Sequence, residues 1–163
     1  SPTHLAGELF KTETGANIVH VPYRGQGPAA NDLLAGQLQV MFPSVPDVLP
    51  LVGAGKLRAL AIMRERRLAL LPDVPTTVEL GFPNLISSFW AGLYTTAGTP
   101  QPVLDRLNRD LMQIVRSPGF TSKVEPLGFE ARATTRAEFA QFNLDEVNRW
   151  GQIVRRLGLQ LDP

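Results

Sequence analysis

The sequence predicts an α/β layer fold with a mostly parallel sheet, on three observations. Apolar and β-branched runs alternate with helical stretches through the first half of the chain. Fourteen glycines and fourteen prolines punctuate those changes, so the elements must be short. The stretch IVHVPYRGQGPAANDLLAGQLQVMF, residues 18–42, reads as strand, glycine turn, helix and strand. Two strands joined through a helix pair in parallel, and the first opens its C-terminal end onto the helix start.

Taken in order, the first segment has an apolar stripe of Leu5, Leu9 and Phe10 that ends near Gly15, with Ser1 or Thr3 to cap it. Ile18, Val19 and Val21 make a buried strand that Pro22 stops. Tyr23-Arg24-Gly25-Gln26-Gly27 is a turn, with two glycines free to take positive φ. Pro28 fits the first turn of the next helix, which carries Ala30, Leu33 and Leu34 and ends at Gly36. Leu38 to Phe42 is the second strand, and Pro43-Ser44-Val45-Pro46-Asp47 is a second turn at a strand's C-terminal end. Ser44 can cap a helix bearing Val48, Leu49 and Val52, which Pro50 bends or limits to a turn or two. Leu57 to Met63 is the third strand.

A charged loop with Arg64, Glu65, Arg66 and Arg67 follows, then a capping box, Thr76 and Glu79, for a short helix ending at Gly81. Phe89 to Thr96 reads as a strand. Thr99-Pro100 opens an amphipathic helix with Val103, Leu104, Leu107, Leu111, Ile114 and Val115 on one face and an Asp105–Arg109 pair on the other. Ser117-Pro118 starts a short helical turn, and Gly128 to Ala131 is a short strand. Thr135 and Glu138 form a second capping box for a last helix, which carries Phe139, Phe142, Val147, Trp150, Ile153, Val154 and Leu157 and stops at Gly158. The organisation that follows is an α/β unit over 1–88 and a crossover strand with helices over 89–163.

Composition excludes several functions. With no cysteine, thiol chemistry, disulfides and thiolate metal sites are ruled out. A net charge of +1 advertises no nucleic-acid partner. No apolar run is long enough to span a bilayer. The chain opens without an initiator methionine or a signal peptide, so it is expected to begin in the middle of a larger protein.

Gly25-Gln26-Gly27-Pro28-Ala29-Ala30 fits the dinucleotide pattern G-x-G-x-x-A. That pattern wants an acid at the end of the next strand to hold ribose, and Pro43-Ser44 stands there instead. An α/β nucleotide-binding enzyme is therefore the alternative reading. A plain tight turn or a generic anion loop is favoured over it; exposed N–H groups and the positive end of the helix dipole meet at that turn, so an anion is the natural ligand there. Arg24 lies in that turn, to approach a carboxylate or to hold the turn itself. His4 and His20, the only histidines, have no His-x-x-x-His spacing, so no metal is expected. A Ser-His-Asp set can be drawn from Ser44, His4 or His20, and Asp47, but no G-x-S-x-G elbow supports it. Asp32, Asp47 and Asp73 read as solvated or capping carboxylates, and Trp90 and Trp150 as core.

Beyond these local signals, the blocks SPTHLAGELFK, VPYRGQGPAANDLLAGQLQVMF, LPLVGAGKLRALAI, LPDVPTTVELGFP and FWAGLYTTAGTPQPVLDRLNRDL, with the closing E-x-x-R-W-G-x-I-V from Glu146 to Val154, run in order along the chain. Together they resemble the Bug family, the periplasmic solute-binding receptors of tripartite tricarboxylate transporters. The resemblance implies a periplasmic-binding-protein-like second lobe, plus C-terminal helices that belong with a first lobe; family members are roughly twice this length, a two-domain size. It implies a non-enzymatic, periplasmic receptor without a cofactor that hands a small carboxylate or dicarboxylate to membrane transporter subunits. The second lobe's share of the ligand site maps to Ser1, Thr3 and His4, to Tyr23, Arg24, Gly25, Gln26 and Gly27, and to Pro43 and Ser44. Some members carry an acid in that last turn to meet an ammonium group. Pro43-Ser44 here points to a plain carboxylate. A lobe apart from its mate is also expected to self-associate or swap domains through exposed apolar stripes.

Overall fold

The computed structural model describes residues 2–156 and 158. The chain divides into two compact units, Ser1–Trp90 and Ala91–Pro163.

The first unit holds three helices, α1 (Pro2–Thr14), α2 (Gln26–Leu34) and α3 (Val45–Gly53). In α1, Ala6 and Leu9 share one face at helical spacing and are buried. On the other face Lys11 pairs with Glu8 at 3.0 Å. The helix closes where Gly15 takes a positive φ of 71° and donates its N–H to the Lys11 carbonyl. α2 buries Ala29 and Ala30, and it packs against α3. Pro50 lies inside α3 without ending it; the helix continues to Gly53.

The core of this unit is Ala6, Leu9, Ala29, Ala30, Ile62, Leu68 and Leu85, with Thr76 and Thr77 buried among them. The buried Thr77 hydroxyl donates to the Leu85 carbonyl at 2.6 Å, which offsets its desolvation. The Thr76–Glu79 capping box forms: Thr76 N–H donates to the Glu79 carboxylate at 2.7 Å, and Glu79 N–H to the Thr76 hydroxyl at 3.1 Å. Arg67 braces Glu79 at 3.0 Å and donates to the Pro72 carbonyl. The expected helix there is a single turn, since Pro75 stands directly before the box and Gly81, with φ 90°, reverses the chain.

The described residues contain no regular strand. Parallel pairing is represented by one isolated bridge between Ile62 and Thr76, in which Ile62 N–H meets the Pro75 carbonyl and Thr77 N–H meets the Ile62 carbonyl, each at 2.9 Å. Beside it, Ser87 N–H donates to the Met63 carbonyl. The runs at 18–21, 38–42, 89–96 and 128–131 lie outside any ladder, and Val19 is 85% exposed. Local β preference is a fit to a pleated, half-buried surface. Without a hydrogen-bonded neighbour it does not make a strand.

The second unit holds α4 (Gln101–Val115), α5 (Pro118–Val124), a 3-10 turn (Glu125–Leu127) and α6 (Arg136–Arg156). Thr135 caps α6: its N–H meets the Glu138 carboxylate at 2.8 Å, and Glu138 N–H meets its hydroxyl at 3.2 Å. The expected Asp105–Arg109 pair does not form. Asp105 accepts from Arg136 at 2.6 Å and Arg109 turns to Asp110, because Arg136 at the start of α6 reaches both Asp105 and Gln101. Gly92 lies against the Phe139 ring so closely that a Cβ there would collide with it. Tyr94 packs on Phe139 and donates to Asn143 at 2.7 Å. None of the described residues from 91 onward is buried. Neither tryptophan is core: Trp90, at the end of the first unit, is 36% exposed, and Trp150 donates to Glu146 beneath the Arg149 guanidinium.

Candidate functional site

The expected ligand residues lie in the first unit, at the starts of its three helices. Ser1 is outside the described residues. Thr3 and His4 occupy the first turn of α1 and are half-buried. His4 stacks on His20, ring centroids 4.0 Å apart and 16° from parallel. That contact ties the start of α1 to the segment leading into the Tyr23 turn. Lower on α1, Gly7 lets the Phe42 ring approach, and Phe10 packs on it at 5.3 Å. Phe42 immediately precedes Pro43 and Ser44. The helix α1 thus touches the chain just ahead of each of the other two helix starts.

The 23–27 turn differs from the expectation in one respect. Only Gly25 takes positive φ, at 111° with ψ 173°, as the N-cap of α2. This conformation is essentially restricted to glycine. Gly27 is already helical, so the G-x-G run is an N-cap followed by a first helical turn, not an open two-glycine loop. No side chain caps α2, no acid lies in its first turn, and Pro28 has no N–H. The amides of Gln26 and Gly27 are the donors that the helix leaves over. Arg24 beside them is exposed and makes no ion pair among the described residues. Donors, dipole and cation here all favour an anion.

The start of α3 is less open. Ser44 is its N-cap, but its hydroxyl bonds the Asp47 carboxylate at 2.5 Å and no amide. Pro46 removes one donor, and Asp47 N–H is taken by the Ser44 carbonyl. Asp47 already places a negative charge in that first turn. Of the two starts, α2 therefore has the stronger claim on an incoming carboxylate.

His4 has its pKa lowered, first by burial and then by the nearby His20; Glu8, whose Oε1 is 3.8 Å from Nε2, works the other way. Tyr23 is half-buried, and its hydroxyl donates to Asp32 at 2.7 Å. That bond raises the phenol's pKa, because the proton is held between the two oxygens. The Asp32 contact has no signal in the sequence: nine residues separate it from Tyr23 across a turn–helix corner, where no periodicity applies. Nor does anything in the sequence mark the His4–His20 stack. Among the described residues no group of three or more His, Cys, Asp or Glu is placed to hold a metal ion. A shallow concavity along α4, lined by Asp105, Asn108 and Arg109 among others, belongs to the second unit and shares no residue with these helix starts.

Helix starts of this kind suit the binding of a small anion. Residues 1–159 match the model of the tripartite tricarboxylate transporter family receptor, and the chain belongs to that family. Among curated relatives, the protein BugT of Bordetella pertussis is 36% identical over 161 residues, 99% of this chain and 49% of the relative. Among solved structures, R. palustris Rpa4515 with adipate superposes with a TM-score of 0.86 at 31% identity, covering 97% of this chain and 53% of that one. The periplasmic binding protein BugD gives 0.80 at 30% identity, covering 97% and 54%. MatC from Rhodopseudomonas palustris with bound malate gives 0.80 at 27%, covering 93% and 53%. The trace therefore follows that of periplasmic binding proteins. The chain spans about half the length of the curated relatives it matches first. No helix among the described residues is long and apolar enough to cross a membrane.

Proposed function

We propose that this chain supplies one side of a periplasmic receptor that captures a small carboxylate and delivers it to the membrane subunits of a tripartite tricarboxylate transporter, without catalysing any reaction. The observation that carries this reading is the start of α2: an uncapped, acid-free helix end, shaped by Gly25 and flanked by Arg24, in a chain of a receptor family. Bonds from such amides to a carboxylate are charge-assisted and contribute about 1.5–3 kcal/mol each. The adipate and malate of two structural neighbours are the ligand class that this chemistry suits.

Residues 1–88 act in this reading as the ligand-binding lobe, and 89–163 as the crossover and helices that complete another lobe. The runs at 18–21, 38–42 and 57–63 become parallel strands of one sheet once ladder partners are in place. Thr3, His4, Tyr23 to Gly27, Pro43 and Ser44 form the rim. Calorimetric titration of the full-length protein with adipate, malate and a panel of other dicarboxylates tests the reading. Binding at micromolar or tighter dissociation constants is expected, and silence across the panel contradicts it. The chain on its own should self-associate, because Val103 and Ile114 of α4 and Leu144 and Val147 of α6 are exposed. A monodisperse monomer in light scattering would count against that last point.

A further inference from the structure

We propose that Asp32 is a positioning residue for the carboxylate site: it holds the Tyr23–Gly27 turn in place through the Tyr23 hydroxyl. This rests on the receptor reading above. Asp32 sits in the last turn of α2 and bonds at both ends of that helix. Its side chain accepts from the Tyr23 hydroxyl at 2.7 Å, reaching back to the turn before α2. Its carbonyl accepts Gln37 N–H at 2.8 Å and Leu38 N–H at 3.3 Å, fixing the turn after it.

The turn ahead of α2 needs an external restraint. Gly25 gives it backbone freedom, no side chain caps the helix, and Arg24 is exposed. The Tyr23–Asp32 bond supplies that restraint and is charge-assisted, since the carboxylate is the acceptor. Tyr23 thus acts by holding the turn, and its hydroxyl is not the ligand's partner. An unrestrained turn must be ordered at each binding event, a cost that lowers affinity without removing any ligand contact.

The test uses the full-length protein and adipate or malate, whichever binds the wild type. Tyr23→Phe and Asp32→Ala should each weaken binding by roughly tenfold. Asp32→Asn, which keeps an acceptor oxygen, should restore most of it. The double variant Tyr23→Phe/Asp32→Ala should be no worse than either single one, because both remove the same bond. Additive losses would show that Tyr23 touches the ligand itself, and wild-type affinity in Asp32→Ala would show that the bond is irrelevant; either result overturns the proposal. A loss of thermal stability with unchanged affinity also overturns it. Nuclear relaxation of the Gly25 and Gln26 amides in the ligand-free protein gives a readout that needs no ligand. Asp32→Ala should loosen them, and unchanged order would refute the strap even if the wild type proved to bind no dicarboxylate, which would separately refute the receptor reading.

Discussion

Two residues concentrate the physics of the site. Gly25 holds φ 111° and ψ 173°, and nothing lies within 4 Å of the position its Cβ would take. The cost of Gly25→Ala is therefore conformational alone and should be about 1–3 kcal/mol. Gly27, helical and equally unobstructed, should do the opposite, with Gly27→Ala gaining about 0.5–1 kcal/mol. Urea unfolding of the two variants separates them. His4 makes a second prediction. Its folded-state pKa lies below the ordinary 6.5, through burial and the facing His20, against the opposing pull of Glu8. The unfolded chain then binds the proton more tightly, so this group's contribution to stability is whole above pH 6.5 and is lost as pH falls through that value. Melting temperature should drop more between about pH 7.5 and 5.5 in wild type than in His4→Gln, and parallel curves would contradict the assignment. The sequence marked the turn as one that needs positive φ, but it gave both Gly25 and Gly27 that role, where only Gly25 takes it. It could not show His20 stacked on His4, because contacts between residues distant in sequence leave no local pattern.

At the scale of elements, the capping signals were legible because they are local. Thr76–Glu79 and Thr135–Glu138 both form the reciprocal bonds that their spacing announces. The helix at 101–115 followed from a proline entry and an apolar stripe, and that at 136–156 from a capping box and its apolar residues. Thr135→Ala removes the hydroxyl that receives Glu138 N–H, and should cost about 1 kcal/mol. It should fray the start of α6, seen as faster amide exchange at Arg136 to Glu138. Unchanged exchange there would mean that the box is incidental. The β-branched runs were legible as preferences only. Val19 and Leu60 stand exposed, while Ile62, which has a bridge partner in Thr76, is buried. What separates them is a neighbour's hydrogen bonds, a property no run carries within itself. The Asp105–Arg109 spacing failed for a related reason: Arg136, which lies in another helix, takes Asp105.

For the molecule as a whole, the order of sequence blocks led to the receptor family, and the family match over residues 1–159 agrees. We propose that amides at the start of α2, shaped by Gly25 and accompanied by Arg24, hold a small carboxylate. The most direct measurement is amide shift mapping of the full-length protein as a dicarboxylate is added. Gly25, Gln26 and Gly27 should move together and saturate with the calorimetric dissociation constant, with smaller changes at Ser44 and Val45. A ligand that binds while those amides stay still, or that shifts only amides of α4 and α6, would contradict the account.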